Sequence, residues 1–449
     1  MTAATPPGSS SPDPAELLRS RSYLVLLVFG AVVGAIAAVV AYFFLKAVAE
    51  AQHFVFTTLP GELGFGHEPL WWPLLPLALA GVLVALTITY LPGTAGHEPA
   101  EGFKTGSPVL PIELPGIVLA SFATLALGVV LGPEAPLIAI GSGLGVSVVR
   151  LVKRDAPATA SAVVGGAGSF AAISTLLGSP IVGAFLLMEA SGLGGAMLGV
   201  VLVPGLLAAG IGALIFVGLD SWTGFGSLSL AVPDIPHAGS PRGAEFLWAI
   251  AIGVAAAIVG TAIKRLALAL QPIVARRRMV LTPLVGLAVG CLAIVFTQVT
   301  GRSSSQVLFS GQSDLAPVIQ GAASWSLGAL LLLMVCKGLA YGASLSGFRG
   351  GPIFPAMFIG AVGGIALSHA PGLPMIAGVG MGIGAMSATM LGLPLTSVLL
   401  SSLFLQPDAL VLMPLVIVAV VVAYVSSAWL TAPPAKPSAR PAERGGSRL

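Results

Sequence analysis

The chain has 449 residues, 56% of them hydrophobic and 8% charged, against about 25% charged in an ordinary soluble domain. Lys and Arg number 20 and Asp and Glu 17, for a net charge of +3. So few charges cannot cover a water-facing surface, and no basic patch interleaved with aromatics is present to bind nucleic acid, so the composition excludes a soluble chain and points to an all-α polytopic membrane protein.

In chain order, residues 1–20 are rich in Pro and Ser and predict a disordered arm, with a short interfacial helix at 13–19. A span of the hydrocarbon needs about 20 apolar residues. Charge-free stretches of sufficient length run 22–45, 69–97, 114–133, 156–188, 190–219, 246–263, 279–301, 315–336, 350–407 and 409–435. The 350–407 stretch is interrupted by Pro371, Pro374 and Pro394, which predicts a dozen or more helical pieces, some too short to cross. The 58 glycines and 35 prolines suit close helix packing and deliberate breaks. The two cysteines, Cys291 and Cys336, sit in apolar runs without metal-ligand spacing and read as buried small hydrophobes.

An internal echo organises the chain. LGPEAPLIAIGSGLG (131–145) followed by LGSPIVGAFLLMEAS (177–191) is matched by GGPIFPAMFIGAVGG (350–364) followed by LGLPLTSVLLSSLFL (391–405). Matching Pro-broken segments, one set per half, are the mark of a transporter built from repeats. The expected organisation is a first membrane repeat over 21–219, a polar inter-repeat loop over 220–245, a second membrane repeat over 246–432 and a disordered tail over 433–449. Basic clusters at Arg19/Arg21, Arg150/Lys153/Arg154, Arg276/Arg277/Arg278 and in the tail place these points, and both termini, in the cytoplasm.

The chemistry centres on Glu134 in Gly132-Pro133-Glu134-Ala135-Pro136. A carboxylate between two apolar runs costs about 2.5–3.5 kcal/mol at a helix centre. The Gly-Pro break puts it at a helix N-terminus, where free N–H groups and the helix dipole favour an anion. It either caps a helix at the membrane edge or sits in a pathway. The corresponding break, Arg349-Gly350-Gly351-Pro352-Ile353-Phe354-Pro355, carries no acid. Two such N-termini converging from opposite repeats would make a positive pocket for a small anion, with the Glu134 carboxylate competing for the same donors until protonated.

These residues resemble the CLC chloride channel and transporter family. The resemblance lies in VLGPEAPLIAIGSGLG (130–145), GSPIVGAFLLMEAS (178–191), VCKGLAYGASLSGFRGGPIFPAMFIGA (335–361) and GIGAMSATMLGLPLTSVLL (382–400), in family order over roughly residues 90–430. It implies an inverted-repeat fold of about eighteen helices, a homodimer with one anion pathway per subunit, chloride or a similar anion as the transported species and protons as a possible second one. It makes Glu134 the gating glutamate and implies Gly96, Gly132, Ala135, Gly351, Ile353 and Phe354 as the anion-binding positions. It also makes Glu189 a proton-pathway candidate, although the family's internal proton glutamate aligns with the next residue, Ala190. The alternative for Glu189 is a helix-end acid facing water or a basic partner.

The sequence departs from the family pattern at several places. Gly96, in Ala95-Gly96-His97-Glu98-Pro99, stands where the family has a pore serine, and Pro133 stands where it has a basic residue. The register of Gly351–Pro355 against the family's Gly-x-Phe-x-Pro is open: counted back from Pro355, the first donor is Pro352, whereas a shift of one residue gives Ile353 and Phe354. Tyr424, the only late tyrosine, falls one helix too early to match the family's pore tyrosine. His97 and Glu98 read as a solvated loop or as the lining of an ion entrance, Lys337 as a snorkelling or acid-paired lysine, and the spacings Gly128/Gly132, Gly141/Gly145 and Gly360/Gly364 as helix contacts.

No cofactor is expected, since neither a nucleotide loop nor a metal-ligand set is recognisable, and the same lack of a nucleophile–base pair argues against an enzyme. The alternative function is an ion-coupled permease for a small organic solute, which would be expected to show more polar and aromatic side chains within its spans. The expected location is the cell inner or plasma membrane.

Overall fold

The computed structural model describes residues 18–66, 68–103, 108–192, 196–223, 239–406 and 408–431. Most of the expected N-terminal arm, the C-terminal tail and most of the inter-repeat loop lie outside these residues.

The first half contributes α1 (Arg21–His53, continued by a π-turn at Phe54–Thr58 and a last turn at Leu59–Glu62), α2 (Leu74–Tyr90) and α3 (Leu114–Ala126). It continues with α4 (Glu134–Val152), α5 (Ala158–Leu177), α6 (Pro180–Ser191) and α7 (Ala196–Thr223). The second half contributes α8 (Gly243–Arg276), α9 (Arg278–Thr300), α10 (Gln312–Gln320), α11 (Leu327–Gly347), α12 (Ile353–Leu367), α13 (Met375–Leu391), α14 (Pro394–Leu405) and α15 (Ala409–Thr431). Among the described residues, eight helices are long and apolar enough to cross a membrane: α1, α4, α5, α7, α8, α9, α11 and α15. Helices α2, α3, α6, α12, α13 and α14 are apolar but shorter. Polar punctuation sets several starts. Ser20 accepts from the Tyr23 N–H, Ser179 from Val182 and Ser326 from Ala329, and Pro180 and Pro394 occupy first helical turns where a missing N–H costs nothing.

The halves repeat their packing. Helix α1 lies on α5 and α7 as α8 lies on α13 and α15, and α4 packs on α5 as α12 packs on α13. Both of these last crossings run backbone on backbone: Gly141 faces Gly168 and Gly145 faces Val164, while Gly360 faces Gly382 and Gly364 faces Gly378. Small residues substitute for the hydrophobic drive that lipid cannot supply between helices. These two GxxxG spacings are therefore packing contacts, whereas Gly128 and Gly132 lie in the irregular segment ahead of α4. The halves meet at an isolated antiparallel bridge between Gly132 and Gly351. Its sense is that of two repeats inverted with respect to each other.

The cysteines divide. Cys336 is buried, but Cys291 is exposed, against the sequence-based expectation. In a bilayer a lipid-facing position is as apolar as a core one, so an apolar run does not show which face turns inward.

Candidate functional site

The site is built from two helix starts. After α3 the chain runs irregularly through Gly128, whose carbonyl accepts from the Phe309 N–H at 3.1 Å, and re-enters helix at Glu134 with Pro133 as the N-cap. After α11 it does the same, entering α12 at Ile353 with Pro352 as the N-cap. The two breaks share the pattern Gly-Pro-x-x-Pro, and the glycines pair: Gly132 N–H donates to Gly351 O at 2.8 Å and Gly351 N–H to Gly132 O at 2.6 Å. Each proline falls where a helix has no intrahelical use for its N–H. Pro352 caps α12, and Ile353 and Phe354 present its first amides.

Glu134 reaches across the bridge to those amides. It is fully buried, and Phe354 N–H donates to its Oε1 at 2.8 Å, with the Ile353 amide close by. Its Oε2 has no partner among the described residues. The carboxylate lies in the space left by two missing side chains, since a Cβ on either Gly132 or Gly351 would overlap it. A carboxylate from one repeat thus sits at the helix N-terminus of the other. Tyr341 of α11, fully buried, donates its hydroxyl to Pro352 O at 2.8 Å and so fixes the same break. Sequence reasoning missed it; a lone tyrosine within an apolar helix, whose hydroxyl must find a partner, was the signal.

A cavity of about 570 Å³ opens beside this junction. Gly96, Ala135, Pro136, Arg349 and Pro352 line one end, and it extends along α4 to Thr159 at the start of α5 and Ser191 at the end of α6. Gly96 belongs to a loop in which Gly93, Thr94 and Ala95 take positive φ values of 82°, 50° and 57°. The loop is fastened by Glu98, which accepts from Gln271 and pairs with Arg278 and Arg349, both at 3.4 Å. His97 is exposed and also lines the cavity, so both readings of it stand, whereas Glu98 is held by its three donors. Arg349 is the second residue that the sequence did not single out. It is 4% exposed and joins the second break to the Gly96 loop through Nε–H to Thr94 O at 3.2 Å.

Residues 101–428 match the family model described as voltage gated chloride channel. The chain belongs to this family. YfeO of Escherichia coli O1:K1 / APEC, a protein named for ion transport, is 30% identical over 362 residues, covering 79% of this chain and 82% of YfeO. Two solved structures share the fold at 19% identity, each over 90% of this chain and 95% of its own length. They are a slow cyanobacterial Cl⁻/H⁺ antiporter, with a TM-score of 0.72, and a CLC-type fluoride/proton antiporter, with a TM-score of 0.66.

The remaining candidates of this voltage gated chloride channel family member take other places. Glu189, at the end of α6, is half-buried. Its Oε1 accepts from Leu395 N–H at 2.9 Å and its Oε2 from Thr396 N–H at 2.7 Å and the Thr396 hydroxyl at 2.6 Å, so it caps α14 from another helix. Lys337 does not snorkel. It is fully buried, with Nζ donating to the carbonyls of Gln306, Val307, Leu308 and Phe309 at 2.9–3.4 Å and lying 4.4 Å from the Phe358 ring centroid. Tyr424 is 42% exposed on α15 and is not among the residues lining the cavity. No group of three or more His, Cys, Asp or Glu among the described residues could hold a metal ion.

Proposed function

We propose that this multi-pass membrane protein carries chloride or a similar small inorganic anion across the bilayer, with Glu134 as a proton-controlled gate. The observation that carries the reading is the Phe354 N–H to Glu134 Oε1 bond at 2.8 Å. An amide that holds a carboxylate in a buried helix start can hold a free anion in its place, because both offer the same negative oxygen or halide to the same donor. While ionised, Glu134 occupies the position. Protonation removes the charge, weakens its claim on the amides of Ile353 and Phe354, and admits the anion. Gly132 and Gly351 leave room for the Glu134 carboxylate beside the amides, while Gly96 and Ala135 border the anion's route into the cavity.

If the proton taken up by Glu134 is released on the opposite side, the same cycle exchanges anions for protons; if not, the protein is a pH-gated channel. A proton route through Glu189 would have to break the α14 cap, so proton exchange is assigned to Glu134 itself. The basic residues at 150–154 and 276–278 favour a cytoplasmic location for their ends of the helices and for both termini. The assembly is read as a homodimer, as the family resemblance implies.

The test is flux from liposomes loaded with chloride, with a potassium ionophore supplying counter-charge. Wild-type protein is expected to release chloride faster as pH falls, by up to about tenfold per pH unit where the gate titrates. Glu134→Gln is expected to abolish that dependence and hold the rate near its acid value. If the variant keeps the wild-type pH profile, Glu134 is not the gate.

A further inference from the structure

We propose that Arg349 is a direct ligand of the transported anion, forming in the cavity beside the Gly96 loop a binding position that favours small planar oxyanions of the nitrate or bicarbonate kind over a spherical halide. The inference rests on the anion-transport reading but concerns a different residue and a different position from the Glu134 gate.

A guanidinium is always charged and carries five N–H donors in a planar fork. Among the described residues, three donors of Arg349 have acceptors: Nε–H gives to Thr94 O at 3.2 Å, Nη1–H to Phe348 O at 3.3 Å and Nη2–H to Glu98 Oε1 at 3.4 Å. Only the last acceptor carries charge; it serves Arg278 at the same 3.4 Å, while the other oxygen of Glu98 accepts from Gln271. The Glu98 side chain is 32% exposed, against 5% for that of Arg349. Two guanidiniums therefore share one partly hydrated carboxylate, and two of the five N–H donors of the more deeply buried Arg349 have no acceptor among the described residues. A buried cation without full pairing is costly, and an anion in the adjoining cavity would complete the pairing.

Among the described residues Arg349 is the one arginine or lysine on the cavity wall, which also carries His97 and the hydroxyls of Ser121, Ser142, Thr159, Ser169 and Ser191. Ser121 and Ser169 give their hydroxyl protons to Ile117 O at 2.6 Å and Ile138 O at 2.9 Å. Gly96 and Pro133 bring no side-chain donor. Glu113, the acid on the cavity wall, accepts from Leu110 N–H at 3.0 Å and forms no ion pair with Arg349. Arg349 is thus the strongest donor facing the space next to Gly96 and Pro352. A planar fork matches two oxygens of a planar anion at once, which a sphere cannot exploit.

The experiment is titration calorimetry of the purified full-length protein with sodium nitrate and sodium chloride at fixed ionic strength, paired with liposome flux of each anion, for wild type, Arg349→Gln and Arg349→Lys. Wild type is expected to bind nitrate more tightly than chloride. Arg349→Gln should weaken nitrate binding about tenfold or more. Arg349→Lys keeps a charge without a fork, so it should bind chloride and lose the preference for nitrate. Nitrate preference surviving in Arg349→Lys, or unchanged affinities in Arg349→Gln, would overturn the assignment. If wild type carries both anions and the variants behave as it does, only this inference fails; if wild type carries neither, the transport reading fails with it. Should Arg349→Gln not fold, the lysine variant decides.

Discussion

Gly351→Ala is expected to release the gate: chloride flux at neutral and alkaline pH should rise about tenfold, toward the acid value of the wild type, and lose most of its pH dependence. A methyl group at this position would overlap Glu134 Oε2 and lie 3.0 Å from the Ala135 amide nitrogen. Something must move, and the backbone is the stiffer party. Gly132 and Gly351 are tied by two hydrogen bonds at 2.8 and 2.6 Å, and Pro133 and Pro352 fix the dihedrals that follow. The carboxylate sits at the end of a flexible side chain and gives way first. Only a modest loss of stability should follow, about 1 kcal/mol for the disturbed bond to Phe354. Flux from liposomes across a pH series, with melting followed in parallel, checks both parts; a wild-type pH profile in a folded variant would show that the glycine is not needed to seat the carboxylate.

Gly360→Ala should act on stability where Gly351→Ala acts on the gate. Its Cβ would run into the carbonyl of Gly382 at the α12–α13 crossing, where backbone faces backbone and no side chain can turn aside. Overpacking of this kind costs about 1–3 kcal/mol, and the upper end is expected here because the two helices must separate. Since α12 carries the Ile353 and Phe354 amides, separation also misplaces the site. The control is Gly218→Ala on α7, where an added Cβ meets nothing within 4 Å and a helix-interior Gly→Ala change gains up to about 1 kcal/mol. Heating followed by size-exclusion chromatography should show Gly360→Ala lost at temperatures the wild type survives, with Gly218→Ala unaffected. Equal melting of all three would contradict the close crossing.

Much of this was legible because a bilayer penalises exceptions. Glu134 stood out as an acid between apolar runs, and the Gly-Pro break beside it announced a helix start. The echo of that break at Gly351 located the partner. Counting back from Pro355 alone left two registers, and the shared Gly-Pro-x-x-Pro spacing goes with a proline N-cap at both breaks, Pro133 and Pro352. What could not be read were partners far apart in the chain. Glu189 looked like a proton carrier or a solvated helix end, yet its acceptors are filled by Leu395 and Thr396, 206 and 207 residues away. Arg349 passed as part of a loop because its acid, Glu98, lies 251 residues earlier. Lys337 likewise found four backbone carbonyls beside the charge of Asp314, and no side-chain pattern records the carbonyls. Cys291 failed for a different reason: lipid-facing and buried positions share one composition, so hydropathy shows the span and not its inner face.

The claim at the centre is that a free anion and the Glu134 carboxylate compete for the same amides, and binding thermodynamics tests it without needing transport. Chloride affinity of the purified wild type should be measured by calorimetry across a pH series, in buffers of different ionisation enthalpy. Tighter binding at lower pH, with proton uptake accompanying each binding event, is the expected result, because linkage requires proton and anion to favour one another. An affinity that stays constant across the series, with no proton taken up, would mean that the two anions do not share a site.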